Sequence, residues 1–421
     1  MKLKNEVLIT GFALFSMFFG AGNLILPPFL GFKSGNSWLP VVFGFFITAV
    51  LIPVMAIFAH AKLQGSLADF GRKISTKFGM FYALIVYLIA IALPTPRTAA
   101  VTHEIAIAPF FDTPSVLTSA VYFGMVLLFA LNRSSVIDAL GKYLTPMIVV
   151  ILFAIIGIAV FSAPGGEIPG IYESPVIAGL LEGYQTFDAI GGAVAGGVLI
   201  VSLKMNFPNL SHNGLQKLIF KAGLIAGGAL LAIYGGLILS GALFNGTFPV
   251  EANNVEVLLS LSAQTLGSVG NLFLGVLVSL ACFTTAVGIV TGTSDYAKEL
   301  FGGSKLAFKI TAISASLLGV IIGQLNVAYI LEVAIPAINL IYPITIVLIV
   351  LNIIKEQYAS PRVFKGVVFT VLLFSIPDVL GYFTGAELWM PLMKYIPLSS
   401  YSLGWVLPGL IIFVLLNLNR K

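Results

Sequence analysis

Few side chains in this 421-residue chain can do polar chemistry, and those that can lie inside long apolar runs. Asp188 stands in the middle of Thr186-Phe187-Asp188-Ala189-Ile190-Gly191-Gly192, and Asn23 closes Phe19-Gly20-Ala21-Gly22-Asn23, shortly before Pro27-Pro28. Ala281-Cys282-Phe283-Thr284-Thr285 sets a carbonyl and two hydroxyls at i, i+3 and i+4, one face of a helix. Such an oxygen set suits a small hard cation such as sodium. Threonines in membrane helices also bond back to their own i−4 carbonyls, and for a lone Thr-Thr pair that plainer arrangement is the commoner one. Arg97 and Glu104 share a face seven residues apart, about 10 Å along a helix axis. That is too far for them to pair directly, and a structural salt bridge to another helix would account for either. This is the chemistry of binding small ions and zwitterions, without a nucleophile and base or a converging metal set.

The elements that must position these residues are membrane helices. The chain is 58% hydrophobic and 9% charged, against roughly 25% charged residues in soluble proteins. A spanning helix needs roughly 20 apolar residues. Twelve stretches qualify, at 7–31, 38–61, 79–107, 115–131, 140–162, 176–203, 214–244, 268–292, 306–322, 328–353, 362–383 and 397–417. The first follows Lys2 and Lys4 in the outline of a signal peptide, but with no small-residue cleavage site it reads as the first span. Alternate loops divide the basic residues into 19 on one side and two, Lys33 and Lys394, on the other, with Arg97 inside a span. The positive-inside rule then makes both termini cytoplasmic. The net charge of +5 is thereby explained without nucleic acid. The outside loop 245–267 holds an apolar-periodic stretch, Val255–Ser262, that reads as a short helix, either a lid or an interfacial packing element. Asn245-Gly246-Thr247 in the same loop fits a glycosylation triplet, a pattern common by chance.

Unwound backbone at membrane depth is tolerated only where it lines a cavity or is buried in protein. The glycine-rich segments in spans one and six are candidate breaks, although small residues at helical spacing equally suit close helix packing. Spans one and six open two five-helix blocks, 1–162 and 163–353, followed by two further helices in 354–421. Five is odd, so the second block is inverted. Interrupted helices at corresponding positions of inverted halves point to a carrier's binding site. A half-helix beginning at Gly22–Leu24 directs its amides toward an anion, and the carbonyls ending the preceding half-helix face a cation.

Other classes lack their signatures. No Gly-x-x-x-x-Gly-Lys-Ser/Thr string holds nucleotide, so no ATPase subunit is expected, and no filter string or ring of charges suggests a channel. Histidines at 60, 103 and 212 do not converge by pattern, and His103-Glu104 begins a zinc-protease string that fails at Ile107. The single cysteine, Cys282, excludes an intramolecular disulfide. The expected protein is not an enzyme and has no organic cofactor.

Several strings are similar to those of one transporter family. Leu14 through Pro28 (LFSMFFGAGNLILPP) resembles the opening signature of the branched-chain amino acid:cation symporters, the LIVCS or BrnQ-type family. Pro96-Arg97-Thr98-Ala99 with Glu104-Ile105-Ala106-Ile107-Ala108-Pro109, Gly183 through Ala189, and Leu280 through Gly288 resemble its third, sixth and eighth spans. The resemblance implies an all-α polytopic membrane protein of LeuT-type fold, within the amino acid-polyamine-organocation superfamily. That fold has about 12 transmembrane helices: a 5+5 inverted repeat with helices 1 and 6 broken, and two C-terminal helices. It also implies sodium-driven import of leucine, isoleucine and valine across the cell membrane. Carried over residue by residue, sodium is held by the carbonyls of Ser16 and Phe19 with Ala281, Thr284 and Thr285, threonine standing where the wider fold has serine. Substrate contacts fall on Phe18, Ala21, Gly22, Asn23, Thr186, Phe187, Asp188 and Ala189, with Arg97 and Glu104 in second rank. Asp188 occupies a position where the wider fold has threonine, so it could serve a second sodium, the substrate ammonium or a proton. A proton-coupled carrier of another small amino acid or solute is the alternative.

Overall fold

The structure, a computed structural model, describes residues 2–132, 136–164, 169–206, 210–249 and 251–418. Arg133, Arg420 and Lys421, which enter the charge asymmetry, lie outside the described residues, as does the side chain of Ala21. The described chain is helical, in the order α1 (Lys2–Phe18), α2 (Ala21–Ser34), α3 (Trp38–Phe46), α4 (Ile52–Leu63), α5 (Thr76–Ala92) and α6 (Pro94–Thr102). There follow α7 (Ser115–Asn132), α8 (Val136–Ser162), α9 (Pro175–Tyr184), α10 (Asp188–Asn206), α11 (His212–Leu243) and α12 (Asn254–Leu300). The remainder are α13 (Lys305–Gly323), α14 (Val327–Ile353), α15 (Pro361–Thr384), α16 (Met390–Met393) and α17 (Val406–Leu418). Wider π-type turns at Ile47–Leu51 and His103–Ile107 join α3 to α4 and extend α6.

Eight helices among the described residues are long and apolar enough to cross a membrane, and a ninth candidate is a bent pair, Glu6–Phe18 with Gly22–Ser34, at 71°. Pro146–Ser162 and Val406–Leu418 are shorter apolar helices. The outer faces are apolar: Phe43, Phe81, Leu128, Ile321 and Phe369 are between 60 and 68% exposed. In water such a surface would aggregate, whereas lipid tails cover it without cost. The last helix starts at Val406, later than the apolar pattern from 397 suggests. Leu398 and Ser402 adopt left-handed backbone, which ends a short turn at Ser399–Tyr401 and prevents earlier helix growth. In the 245–267 loop, α12 starts on a capping box in which Asn253 Oδ1 accepts from the amides of Val255 and Glu256, and Glu256 accepts from Asn253 N–H. Gly267, at φ 73°, bends this short piece away from the membrane-capable Gly270–Leu300. Val255, Leu258 and Leu261 are buried, so its apolar face packs inward.

Two contacts set the frame around the site. Gly179 and Gly183, four residues apart on α9, lie against α3 and the wide turn that follows it. A Cβ at Gly179 would strike the Val41 carbonyl, and one at Gly183 the Thr48 hydroxyl. This is the small-xxx-small geometry that lets two helix backbones touch in a membrane. On α4, His60 Nε2 faces the Ala193 carbonyl of α10 at 2.7 Å and Nδ1 faces the Gly65 carbonyl at 3.2 Å, tying α4 to α10.

Candidate functional site

Two interruptions of helix meet at one cavity. Between α1 and α2, Gly20 is extended (φ −118°, ψ −168°), and α1 ends at Phe18, so the last carbonyls of α1 run out of helical donors. Between α9 and α10 lie Gln185, Thr186 and Phe187, and Phe187 sits at φ 62°, in the left-handed region. That conformation costs a bulky residue about 1–3 kcal/mol and persists only where the surroundings hold it. The cavity, about 500 Å³ including its open mouth, is lined from α1, α2, α5, α6, α10, α12 and the α9–α10 link.

The polar wall is built from both interruptions. Asn23 Nδ2 donates to Asp188 Oδ2 at 2.6 Å and also to the Tyr234 hydroxyl on α11. Thr186 Oγ1 donates to the Gly183 carbonyl at 2.8 Å and accepts the Asp188 amide at 3.2 Å, a turn that sets the aspartate at the start of α10. There the carboxylate meets the positive end of the helix dipole. Arg97 of α6 donates from Nη1 to the Gln185 carbonyl at 2.6 Å and from Nη2 to the Thr186 carbonyl at 3.3 Å. Its guanidinium lies over the Phe187 ring at 5.4 Å and directly against Gly22. Asn23, Arg97 and Asp188 are 1, 2 and 5% exposed, so each charge is supported by protein rather than water.

Of the residues expected at the substrate, Phe18, Asn23, Thr186, Phe187 and Asp188 line the cavity, and Gly22 borders it through Arg97. Ala189 is fully buried in the core behind the wall, and the Ala21 side chain lies outside the described residues. Arg97, ranked second from sequence, stands at the centre of the site. Glu104 does not: its Oε1 accepts the Val327 amide at 2.7 Å and caps the start of α14, beside Asn326, which accepts from Tyr329. Glu104 lies in the wide π turn, about 10 Å farther along the helix axis than Arg97, and its partner is a backbone amide of α14. Thr284 and Thr285 each donate to the Ala281 carbonyl, at 2.9 and 3.0 Å, the plain back-bonded arrangement. Their hydroxyl oxygens keep lone pairs, and Thr285 lines the cavity beside Gly20. Tyr234 was not among the expected residues. A lone tyrosine within Ile233-Tyr234-Gly235-Gly236 at membrane depth was the available signal, because a buried hydroxyl needs a partner.

The chain matches the family described as branched-chain amino acid transport protein over residues 3–421. It belongs to that family. The Pseudomonas aeruginosa branched-chain amino acid transport system 2 carrier protein is 35% identical, over 97% of this chain and 95% of the relative. Two permeases, BraB of Bacillus subtilis and BrnQ of Corynebacterium glutamicum, are each 34% identical, covering 96 and 99% of this chain and 93 and 96% of their own. Among solved structures, a Na+-coupled sialic acid symporter aligns with a TM-score of 0.60 at 13% identity, over 99% of this chain and 90% of its own. MhsT in complex with L-phenylalanine aligns at 0.51 and 16%, over 98% of each chain. At these identities the likeness concerns the fold, which is LeuT-type. Branched-chain amino acid transport family members are multi-pass membrane transporters, and the cavity described above is this member's candidate site.

Proposed function

We propose that the protein is a sodium-coupled symporter that imports leucine, isoleucine and valine across the cell membrane by alternating access, with both termini cytoplasmic. The observation that carries this reading is the cavity between two helix interruptions, whose lining includes both a buried carboxylate, Asp188, and a buried guanidinium, Arg97. An α-amino acid brings the complementary pair of charges, and Phe18, Ile190, Val194 and Ile289 supply an apolar remainder for a branched side chain. Family membership supports the substrate class. In this reading the twelve apolar stretches are the spans, helix pairs α1/α2 and α9/α10 are broken spans one and six of the two inverted five-helix blocks, and the chain needs no ATPase subunit. Sodium would be held by the carbonyls of Ser16, Phe19 and Ala281 with the hydroxyls of Thr284 and Thr285, a neutral oxygen set suited to a hard monovalent ion. Rocking of spans one, two, six and seven against the rest would expose the cavity to each side in turn. A gradient drives uptake only if ion and substrate favour the same conformation.

The test is uptake of labelled leucine into liposomes holding purified protein. Uptake driven by an inward sodium gradient, competed by isoleucine and valine, is the expected result. Uptake driven by a proton gradient alone would replace this reading with a proton-coupled carrier, for which the buried Asp188 is the natural proton site. Absence of branched-chain uptake under either gradient would overturn the substrate assignment.

A further inference from the structure

The cavity wall holds a cation and an anion that do not pair with each other. Arg97 and Asp188 both line it, and no ion pair joins them among the described residues. Asp188 is served by Asn23. A guanidinium has five N–H donors, and the bonds made by Arg97 are one from each Nη, to the carbonyls that end α9. Its Nε–H is buried with no acceptor among the described residues. Capping α9 accounts for the two Nη bonds through the negative end of the helix dipole. It does not account for an orphaned charged donor on a side chain that lines the cavity, since a buried donor left unmet is destabilising.

The surroundings keep the guanidinium in place. A Cβ at Gly22 would come within 2.5 Å of Nη2 and 3.0 Å of Cζ, so only glycine leaves room for it. Phe187 holds its ring against the guanidinium, 5.4 Å from Cζ, from a backbone conformation unfavourable to phenylalanine. Gly22 also lies in the first turn of α2, whose first amides favour an anion, so two anion-attracting features converge. We infer that Arg97 is the receptor for the substrate's carboxylate. The Nε–H and the unused Nη hydrogens form a planar fork for it, while Asp188 with Asn23 faces the ammonium group. The inference rests on the amino-acid reading proposed above and assigns to a side chain of the third apolar stretch the selection of amino acids over amines.

The experiment compares equilibrium binding of leucine and leucinamide, which keeps the ammonium and isobutyl groups but has no carboxylate, to purified full-length protein in sodium. Wild type is expected to prefer leucine by about 10- to 100-fold, the range for hydrogen bonds to charged groups. Arg97→Gln should abolish the preference, leaving both ligands equally weak. Arg97→Lys should retain part of it, because an ammonium offers charge without the fork. Asp188→Asn should weaken both ligands and leave the preference intact. Folding is checked by monodispersity and helical circular dichroism, and if Arg97→Gln does not fold, Arg97→Lys carries the test. An undiminished preference in a folded Arg97 variant, even with both affinities lowered by the same factor, would mark Arg97 as a structural cap and overturn the inference. Wild type that binds neither ligand would overturn the amino-acid reading itself, a separate result from loss of the Arg97 role alone.

Discussion

Asp188, Asn23 and Gly22 define what a single side chain contributes to the site. Gly22→Ala adds one methyl where the Arg97 guanidinium lies. It should lower leucine affinity at least about 10-fold, read by equilibrium binding, because the displaced guanidinium loses its carbonyl partners at 2.6 and 3.3 Å. Asp188→Asn should weaken leucine by about 10- to 100-fold, because the substrate ammonium loses a charged acceptor. Sodium dependence retained together with a changed pH dependence of uptake would identify the carboxylate as an ammonium or proton partner rather than an ion ligand. Thr284→Ala with Thr285→Ala should raise the sodium concentration for half-maximal uptake, and unchanged sodium dependence would remove the pair from the ion site. Asp188 and Asn23 were legible in the sequence because polar groups in apolar runs need a reason to be there. The importance of Arg97 was only half legible: its acceptors are backbone carbonyls of Gln185 and Thr186, and a backbone atom leaves no trace in residue type.

At the scale of helices, glycine has two meanings here that spacing alone does not separate. Gly20 and Gly22 accompany a change of helix direction of 71°, whereas Gly179 and Gly183 sit within a continuous α9 and allow it to touch α3 and the turn beyond. Gly179→Val should therefore disrupt the α3–α9 contact and destabilise the protein by about 1–3 kcal/mol or more, measured as a lower melting temperature in detergent. Glu104→Ala removes the acceptor for the first amide of α14 and should cost about 1 kcal/mol of stability, with leucine affinity retained. A loss of affinity in that variant at unchanged stability would return Glu104 to the binding site. The second interruption, at Gln185–Phe187, is marked by no proline or glycine within the link itself. Its left-handed Phe187 is imposed by packing between α9, α10 and Arg97, which is why the acid and the following glycines hinted at it only indirectly.

For the whole molecule, the proposed orientation rests on the distribution of charge and the proposed rocking on the two interruptions acting together. In a Cys282→Ser background, Lys305→Cys should react with a membrane-impermeant thiol reagent from the cytoplasmic face and Glu251→Cys from the outside, both positions being exposed. The reverse pattern would invert the topology. What the amino-acid sequence determined by itself is the solvent, the helices and the asymmetry: 58% apolar residues cannot be covered in water, long apolar runs must satisfy their own backbone, and lysines and arginines stay where crossing the bilayer is avoided. These are local or summed properties and need no partner. The tertiary structure alone decided which polar groups meet. It set Asn23 against Asp188 and Tyr234, turned Arg97 onto the end of α9, and sent Glu104 to cap α14. Those pairings join residues from 88 to 223 positions apart. Their cost or benefit depends on burial and on backbone carbonyls that only the packed helices bring together.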